Sequence, residues 1–437
     1  MEYSLLAGAA REDITPNIGA RICGYSPNQY SQSIRDRLSA TALAFQSGTE
    51  KTLMISATLC ELDTGLMTAL RKEISQKTGM KADAILIAAT HTHSGPTLMG
   101  HIGWGDIDYE YYEEIFRPRV LAAAEKACAS LQPVVMGIGK GISLVGINRR
   151  QLTPDNRIIL GQSPWGCFNP EMTVLSFRNR EDHVVANIIH YGAHGTAAGV
   201  NTAISRDWSG HMTDALDGAS GGITAFFNGP EGDVGPRLSN GKTTGDGDLA
   251  YVDEMGRMAA ADALRIYQTI TDYHDADTAA VSSMLHLPLQ KRISLEDASR
   301  LCKEYENQTI NIGRQKLEYS RTVKDSYENG YQEQTSRAIE QTIIRIGSVA
   351  FAGFPYELFS EIGMRIQQAE TELDVLSLSN ANGDLGYFPT QDQLCRGGYE
   401  IDCFLYNEVQ AYTEDADYQL MRATLDHLKN VKKVKTI

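Results

Sequence analysis

Residues 84–96 read Ala-Ile-Leu-Ile-Ala-Ala-Thr-His-Thr-His-Ser-Gly-Pro. An unbroken apolar run of this length bounded by a Gly-Pro turn is the pattern of a strand buried on both faces. The run opens directly into His91 and His93. Side chains alternate along a strand, so the spacing predicts that both imidazoles project to one side. Two imidazoles at the mouth of a buried strand are costly to leave unpartnered. Their placement suits a metal site or a catalytic cleft.

Working outward, residues 52–90 read as one strand–helix–strand unit, and open sheets gather their sites at the carboxyl ends of strands. Further apolar runs predict strands near 3–9, 40–47, 134–147, 172–178, 184–191, 222–228, 279–287, 343–352 and 374–379. Helical periodicity covers 63–77, 109–131, 206–217, 250–272, 295–327, 331–341, 357–371 and 416–430. Strict strand–helix alternation stops after residue 150. The expected class is α/β of the mixed α+β kind: a large mixed sheet flanked by helices in a single domain, 1–437. The polar, Tyr-bearing segment 295–341 reads as a solvated helical excursion from it, with a lid or an oligomer contact as the alternatives. Lys429, Lys432, Lys433 and Lys435 read as a solvated helix end.

The 437 residues are 42% hydrophobic, enough for a sizeable core. Forty basic against 55 acidic residues give a net charge of −15. That excess argues against nucleic acid and anionic membrane as partners and favours a small-molecule substrate. No apolar run approaches the ~20 residues that span a bilayer. The start, Met-Glu-Tyr-Ser-Leu-Leu, has no basic n-region, so no signal peptide is visible. Seven scattered cysteines without a CxxC read as reduced, mostly packed thiols of a cytoplasmic protein. A secreted or periplasmic protein remains the alternative if a leader was removed.

Five other segments carry candidate chemistry. The 184–189 run ends in His190, then His194-Gly195, where glycine lets another backbone approach. His190 still lies in the strand pattern and reads as a core residue. Ser205 and Asp207 sit where a helix would be capped. Residues 226–237 open into a loop dense in Gly and Pro that carries Glu231 and Asp233, the composition of a binding loop or a sharp turn. In Gly353-Phe354-Pro355-Tyr356-Glu357, proline suits a first helical turn and places Glu357 at the helix start. Residues 380–399 form an irregular aromatic loop.

In their order, these segments resemble the neutral/alkaline ceramidase family, catalytic N-terminal part only. The resemblance rests on Ala10 to Pro16 with Gly24-Tyr25, and on Thr90 to Pro96 as the Thr-His-Thr-His-Ser-Gly-Pro signature. It continues through His194-Gly195-Thr196, Ile204 to Asp207, Gly232 to Pro236, Gly353 to Glu357, Tyr387 to Thr390 and Tyr399-Glu400. It implies one Zn²⁺ held by His91, His194, Glu357 and Tyr387. It implies His93, Arg149 and Tyr399 as groups acting on the substrate, with Asp233 of the third block beside them.

Two departures stand out. The family's loop serine is Gly235 here, which removes a serine-dependent route and leaves metal-activated water as the nucleophile. No counterpart of the family's C-terminal immunoglobulin-like domain follows, which points to a substrate smaller and more soluble than membrane ceramide. The expectation is a zinc-dependent hydrolase of an amide or ester in a small N-acyl compound. The alternatives are a true ceramidase, a metal-dependent lyase or isomerase on a carbohydrate-like substrate, and a binding protein that retains the metal without turnover.

Overall fold

Two-faced strands build this molecule in layers. In the strand Ser39–Ser47, Ala42 and Ala44 point one way and Leu43 and Phe45 the other; in Ile85–Ala89, Ile85 and Ile87 oppose Leu86 and Ala88. Both faces are buried, so each strand carries two separate apolar sets, and a slip of one residue would exchange them. The computed structural model describes residues 4–238 and 249–434. Tyr3 of the first expected strand and Lys435 of the basic tail lie outside the described residues.

Eight strands form the large sheet, in the order Ile223–Asn228, Val184–Tyr191, Glu171–Asn179, Gln132–Ile142, Leu5–Asp13, Ser39–Ser47, Glu50–Ala57, Ile85–Ala89. All neighbours are antiparallel except the outermost pair at each edge. Those two parallel pairs end in the two histidine segments. The edge pair Glu50–Ala57 and Ile85–Ala89, with helix Thr64–Thr78 between, is the strand–helix–strand unit expected from residues 52–90.

One face of the large sheet, including Phe45, Leu86, Phe177 and Phe227, packs on a four-stranded sheet through Ile344, Phe351 and Leu376. That second sheet runs Thr278–Pro288, Ser336–Ile346, Val349–Gly353, Asp374–Leu378. The other face of the large sheet is covered by helices Thr64–Thr78 and Arg117–Ala129 on one half, and by Trp208–Ser220 and Leu249–Tyr267 on the other. Helices Ser360–Ala369 and Ala416–Lys433 cover the outer face of the small sheet. The result is a helix–sheet–sheet–helix stack of the mixed α/β class. Each fully buried Leu, Ile or Phe in these seams contributes about 2 kcal/mol.

The segment 331–341 departs from expectation. Helical periodicity predicts a helix there, whereas Ser336–Ile346 is a strand paired along all eleven residues with Thr278–Pro288. Its end carries Thr342, Ile343, Ile344 and Ile346, whose branched side chains favour the pleated surface. The non-local pairing overrides the polar periodicity before it. Within 295–341, then, the helices are Leu295–Glu304 and Asn311–Glu328, which pack on each other through Ala298, Leu301, Tyr319 and Val323. All seven cysteines are free; Cys23, Cys60 and Cys403 are buried, but Cys167 and Cys395 are exposed, so fewer are packed than expected. Among the described residues no helix is long and apolar enough to cross a membrane.

Candidate metal centre and its cavity

The first histidine segment turns as soon as its strand ends. Ala89 closes the strand and His91 adopts φ 63°, so simple alternation does not carry through to the imidazoles. They meet all the same: His93 Nε2 lies 3.2 Å from His91 Nε2. His91 Nδ1 lies 2.9 Å from the Cys60 carbonyl, and His194 Nδ1 lies 2.9 Å from the Glu231 carbonyl. Carbonyls accept only, so each Nδ1 carries a hydrogen and each Nε2 is the nitrogen aimed at the cluster. Backbone carbonyls behind the rings fix their tautomer and their aim, the usual support of metal-ligating histidines.

Two glycines let the segments close on one another. Gly195 bridges to Thr92, and a Cβ there would stand 2.7 Å from the His91 carbonyl oxygen. A Cβ on Gly232 would strike the Glu357 carbonyl oxygen.

Glu357 does not begin a helix. Glu357–Leu358 is a two-residue strand parallel to Tyr387–Phe388, with Glu357 opposite Tyr387, and the helix starts at Ser360. The amides of Glu357 and Phe359 donate to Gly386 and Phe388, which commits this backbone to strand pairing. That register sets the carboxylate beside the phenol.

Glu357 Oε2 stands 3.3 Å from His91 Nε2 and 3.0 Å from His194 Nε2, and one ligand atom from each of the three lies within 4.8 Å of the others. The oxygen is buried, yet no hydrogen bond of acceptable geometry satisfies it. The Tyr387 hydroxyl is 3.4 Å from His194 Nε2. Two imidazoles, a carboxylate and a phenol converging on one buried point fit a metal ion, and a set of two nitrogens and two oxygens is one that zinc accepts. The electrostatics agree. Burial lowers the His91 pKa, but the Glu357 carboxylate more than offsets this and carries it up to about 10. Burial, with the charges of Arg149 and His91, pulls His194 down to about 3. A proton on His91 and a cation at the same spot are therefore alternatives, and binding one releases the other.

His93 is pushed well below the ordinary histidine value by burial and then by His91 and His194. Its ring packs 5.0 Å from Tyr25. Arg149 donates to the Tyr387 hydroxyl at 3.0 Å and to Glu400 at 2.9 Å, while Arg150 holds the other Glu400 oxygen at 2.7 Å. Tyr399 stacks with Trp104 at 6.3 Å. These groups line a cavity of about 360 Å³ bounded by His93, Arg149, Thr196, Tyr387, Tyr399 and Trp104. Gly235 also lines it, and a Cβ there would meet only Arg149 carbons at 3.5 and 3.7 Å.

His91, His194, Glu357 and Tyr387 are thus brought together in one buried cluster, and His93, Arg149, Tyr387 and Tyr399 line the cavity beside it. Asp233 is not on its wall. Its carboxylate accepts from the Ser360 amide at 2.7 Å and from Asn148 Nδ2 at 3.0 Å, and burial raises its pKa to about 7. It ties the Gly-rich loop to a helix and, through its carbonyl, holds the Arg149 amide. His190 is a core residue bonded to the Ser377 carbonyl at 2.8 Å. Asp207 caps Trp208 and also accepts from the Ala197 and Ala198 amides, pinning the turn after His194. The sequence reading missed Trp104, Asn311 and Ile312, which reach the cavity from two separate excursions. It also missed Glu400 as the anchor of the Arg149-Arg150 pair, for which the adjacent arginines were the available signal.

Residues 5–254 match the family described as neutral/alkaline non-lysosomal ceramidase, N-terminal. Neutral ceramidase A of Dictyostelium discoideum is 27% identical over 269 residues, covering 56% of this chain and 38% of that protein. Neutral ceramidase of Pseudomonas aeruginosa is 29% identical over 195 residues, covering 42% of this chain and 29% of that protein. The chain thus aligns with less than half the length of either relative. The crystal structure of the Pseudomonas aeruginosa enzyme superposes on all of this chain and 76% of its own, with TM-score 0.75 at 19% identity. A ceramidase complexed with C2 gives 0.72 at 17%. Those two likenesses establish the fold, and the match over 5–254 establishes that the chain belongs to the neutral/alkaline non-lysosomal ceramidase family.

Proposed function

We propose that this protein is a zinc-dependent hydrolase that cleaves the amide bond of a small N-acyl compound. One observation carries the reading: His91, His194 and Glu357 present three ligand atoms to one buried point at the edge of a substrate-sized cavity. A zinc ion held there by these groups and Tyr387 would supply a Lewis acid and a water acidified toward a pKa of ~7.

The chain's own residues serve such a reaction. His93 stays neutral and its Nε2 faces the ligand cluster, so it can take a proton there and return it to a leaving amine. The Arg149 guanidinium, fixed by Glu400, brings a positive charge to the cavity wall beside the Tyr387 hydroxyl, where it can stabilise a developing oxyanion. Tyr399 and Trp104 stack as one aromatic wall for the apolar part of the substrate. Gly235 offers no hydroxyl, so no serine nucleophile stands at that position.

A volume of about 360 Å³ lies at the lower end of small-molecule sites, which favours a short acyl group over two long chains. The names of the relatives make ceramide the nearest competing substrate. A panel of N-acyl amides from N-acetyl to long-chain ceramide, with products identified by mass spectrometry, tests the reading. A free acid and a free amine from the short-chain members support it. Elimination products, or no turnover of any member by zinc-loaded protein, would overturn it.

A further inference from the structure

Adjoining the first ligand set is a second cluster, two of whose three carboxylates the proposed hydrolysis does not use. Glu61, Glu357 and Asp384 each offer a carboxylate oxygen, and the three lie within 4.8 Å of one another. All are buried: Glu61 is 7%, Glu357 4% and Asp384 0% exposed. His101 Nε2 stands 3.3 Å from Glu61 Oε2. Glu61, His101 and Glu357 border a smaller cavity of about 30 Å³ that shares His93, Trp104, Tyr387 and Tyr399 with the larger one and has room for one ion or one water.

Asp384 distinguishes this cluster from an ordinary ion pair. Its Oδ1 accepts the Gly386 amide at 2.5 Å. Its Oδ2 is buried with no partner, so it is the oxygen still free to bind an ion beside the other carboxylates. Three carboxylates in one buried spot repel strongly unless protons or a cation intervene. A proton does not resolve the problem at Asp384. A protonated Oδ2 would be a buried donor without an acceptor, and an ionised one joins two further carboxylates with at most the single positive charge of His101 to offset three negative ones. A divalent cation satisfies all three.

We infer that Glu61, Asp384 and His101 form a second cation site that shares Glu357 with the first. Three carboxylates and one imidazole form an oxygen-rich set that suits Mn²⁺ or Zn²⁺ better than the wholly oxygen-seeking Ca²⁺ or Mg²⁺. A shared carboxylate would place the two ions about 3.5–4 Å apart, the spacing of two-metal sites. The inference does not depend on an amide being the substrate.

The test uses the full chain, stripped with a chelator and dialysed against increasing Mn²⁺. Bound metal is counted by mass spectrometry and the ions are observed by electron paramagnetic resonance. Two Mn²⁺ per chain with an exchange-coupled spectrum are expected. Asp384→Asn should bind one ion with an isolated six-line spectrum while keeping its circular dichroism. Saturation of the wild-type chain at one ion, two ions without coupling, or two coupled ions in Asp384→Asn would each overturn the inference. The wild-type spectrum decides the matter even if the variant fails to fold. His194→Ala tests the hydrolase reading separately, because it removes a ligand of the first set only.

Discussion

Replacing Glu400 by glutamine should weaken both the fold and the cavity, and the size of the effect can be worked from the contacts. Glu400 is 1% exposed and accepts from Arg149 at 2.9 Å and from Arg150 at 2.7 Å. The two guanidinia are themselves 11% and 3% exposed, so solvent cannot replace the lost charge. Glutamine keeps the shape and one acceptor oxygen but leaves two buried cations without a counter-ion. Breaking a buried pair on one side costs about 3–5 kcal/mol. Arg150 keeps bonds to the Gly397 carbonyl and Gln393, which places the expected loss near 3 kcal/mol. With a urea slope of about 3 kcal/mol per molar, the unfolding midpoint should fall by about 1 M. Arg149 loses its anchor, so kcat should fall more than KM rises. Repeating the substitution in an Arg150→Met background should cost at least ~1 kcal/mol less, because the contacting residues couple. A midpoint change under ~0.3 M, or strict additivity with Arg150→Met, would refute the claim that Glu400 is the shared counter-ion.

Further outcomes follow from the same contacts. Burial lowers the His190 pKa from 6.5 to about 4, so between those values the unfolded chain takes a proton that the folded chain refuses. The stability present above pH 6.5 is then lost as pH falls toward 4, by about 3 kcal/mol, and His190→Gln should flatten that part of the acid-unfolding curve; an unchanged curve would contradict the assignment. Gly235→Ala should leave the melting temperature unchanged, whereas Gly232→Ala should push Glu357 aside and weaken zinc binding; equal effects in the two would show that the close approach does not matter. His93→Ala should keep the metal and lose about 10²–10⁴ in kcat, and metal loss in that variant would move His93 into the ligand set.

Local signals carried the layered core. The opposed faces of Ser39–Ser47 and Ile85–Ala89 follow from alternation, and His91 and His194 stand where apolar runs stop. Glu357 and Tyr387 were legible as a ligand pair only through the family resemblance, because their pairing is set by a two-residue parallel register with no periodicity of its own. The first part of the strand Ser336–Ile346 was hidden because its partner lies across two intervening helices. Glu61, His101 and Asp384 gave no signal either. They occupy three loops whose meeting depends on both edges of the fold, and each looks like an ordinary polar loop residue in its own neighbourhood.

The central claim is that His91, His194 and Glu357 hold one zinc ion tightly. Competition between the stripped chain and a chromophoric chelator measures that affinity directly. Tight zinc binding by the wild-type chain is predicted, weakened at least 100-fold in His194→Ala and in Glu357→Gln, with release of a proton on binding. Zinc binding that is absent from the folded wild-type chain, or unaltered in both variants, would contradict the account.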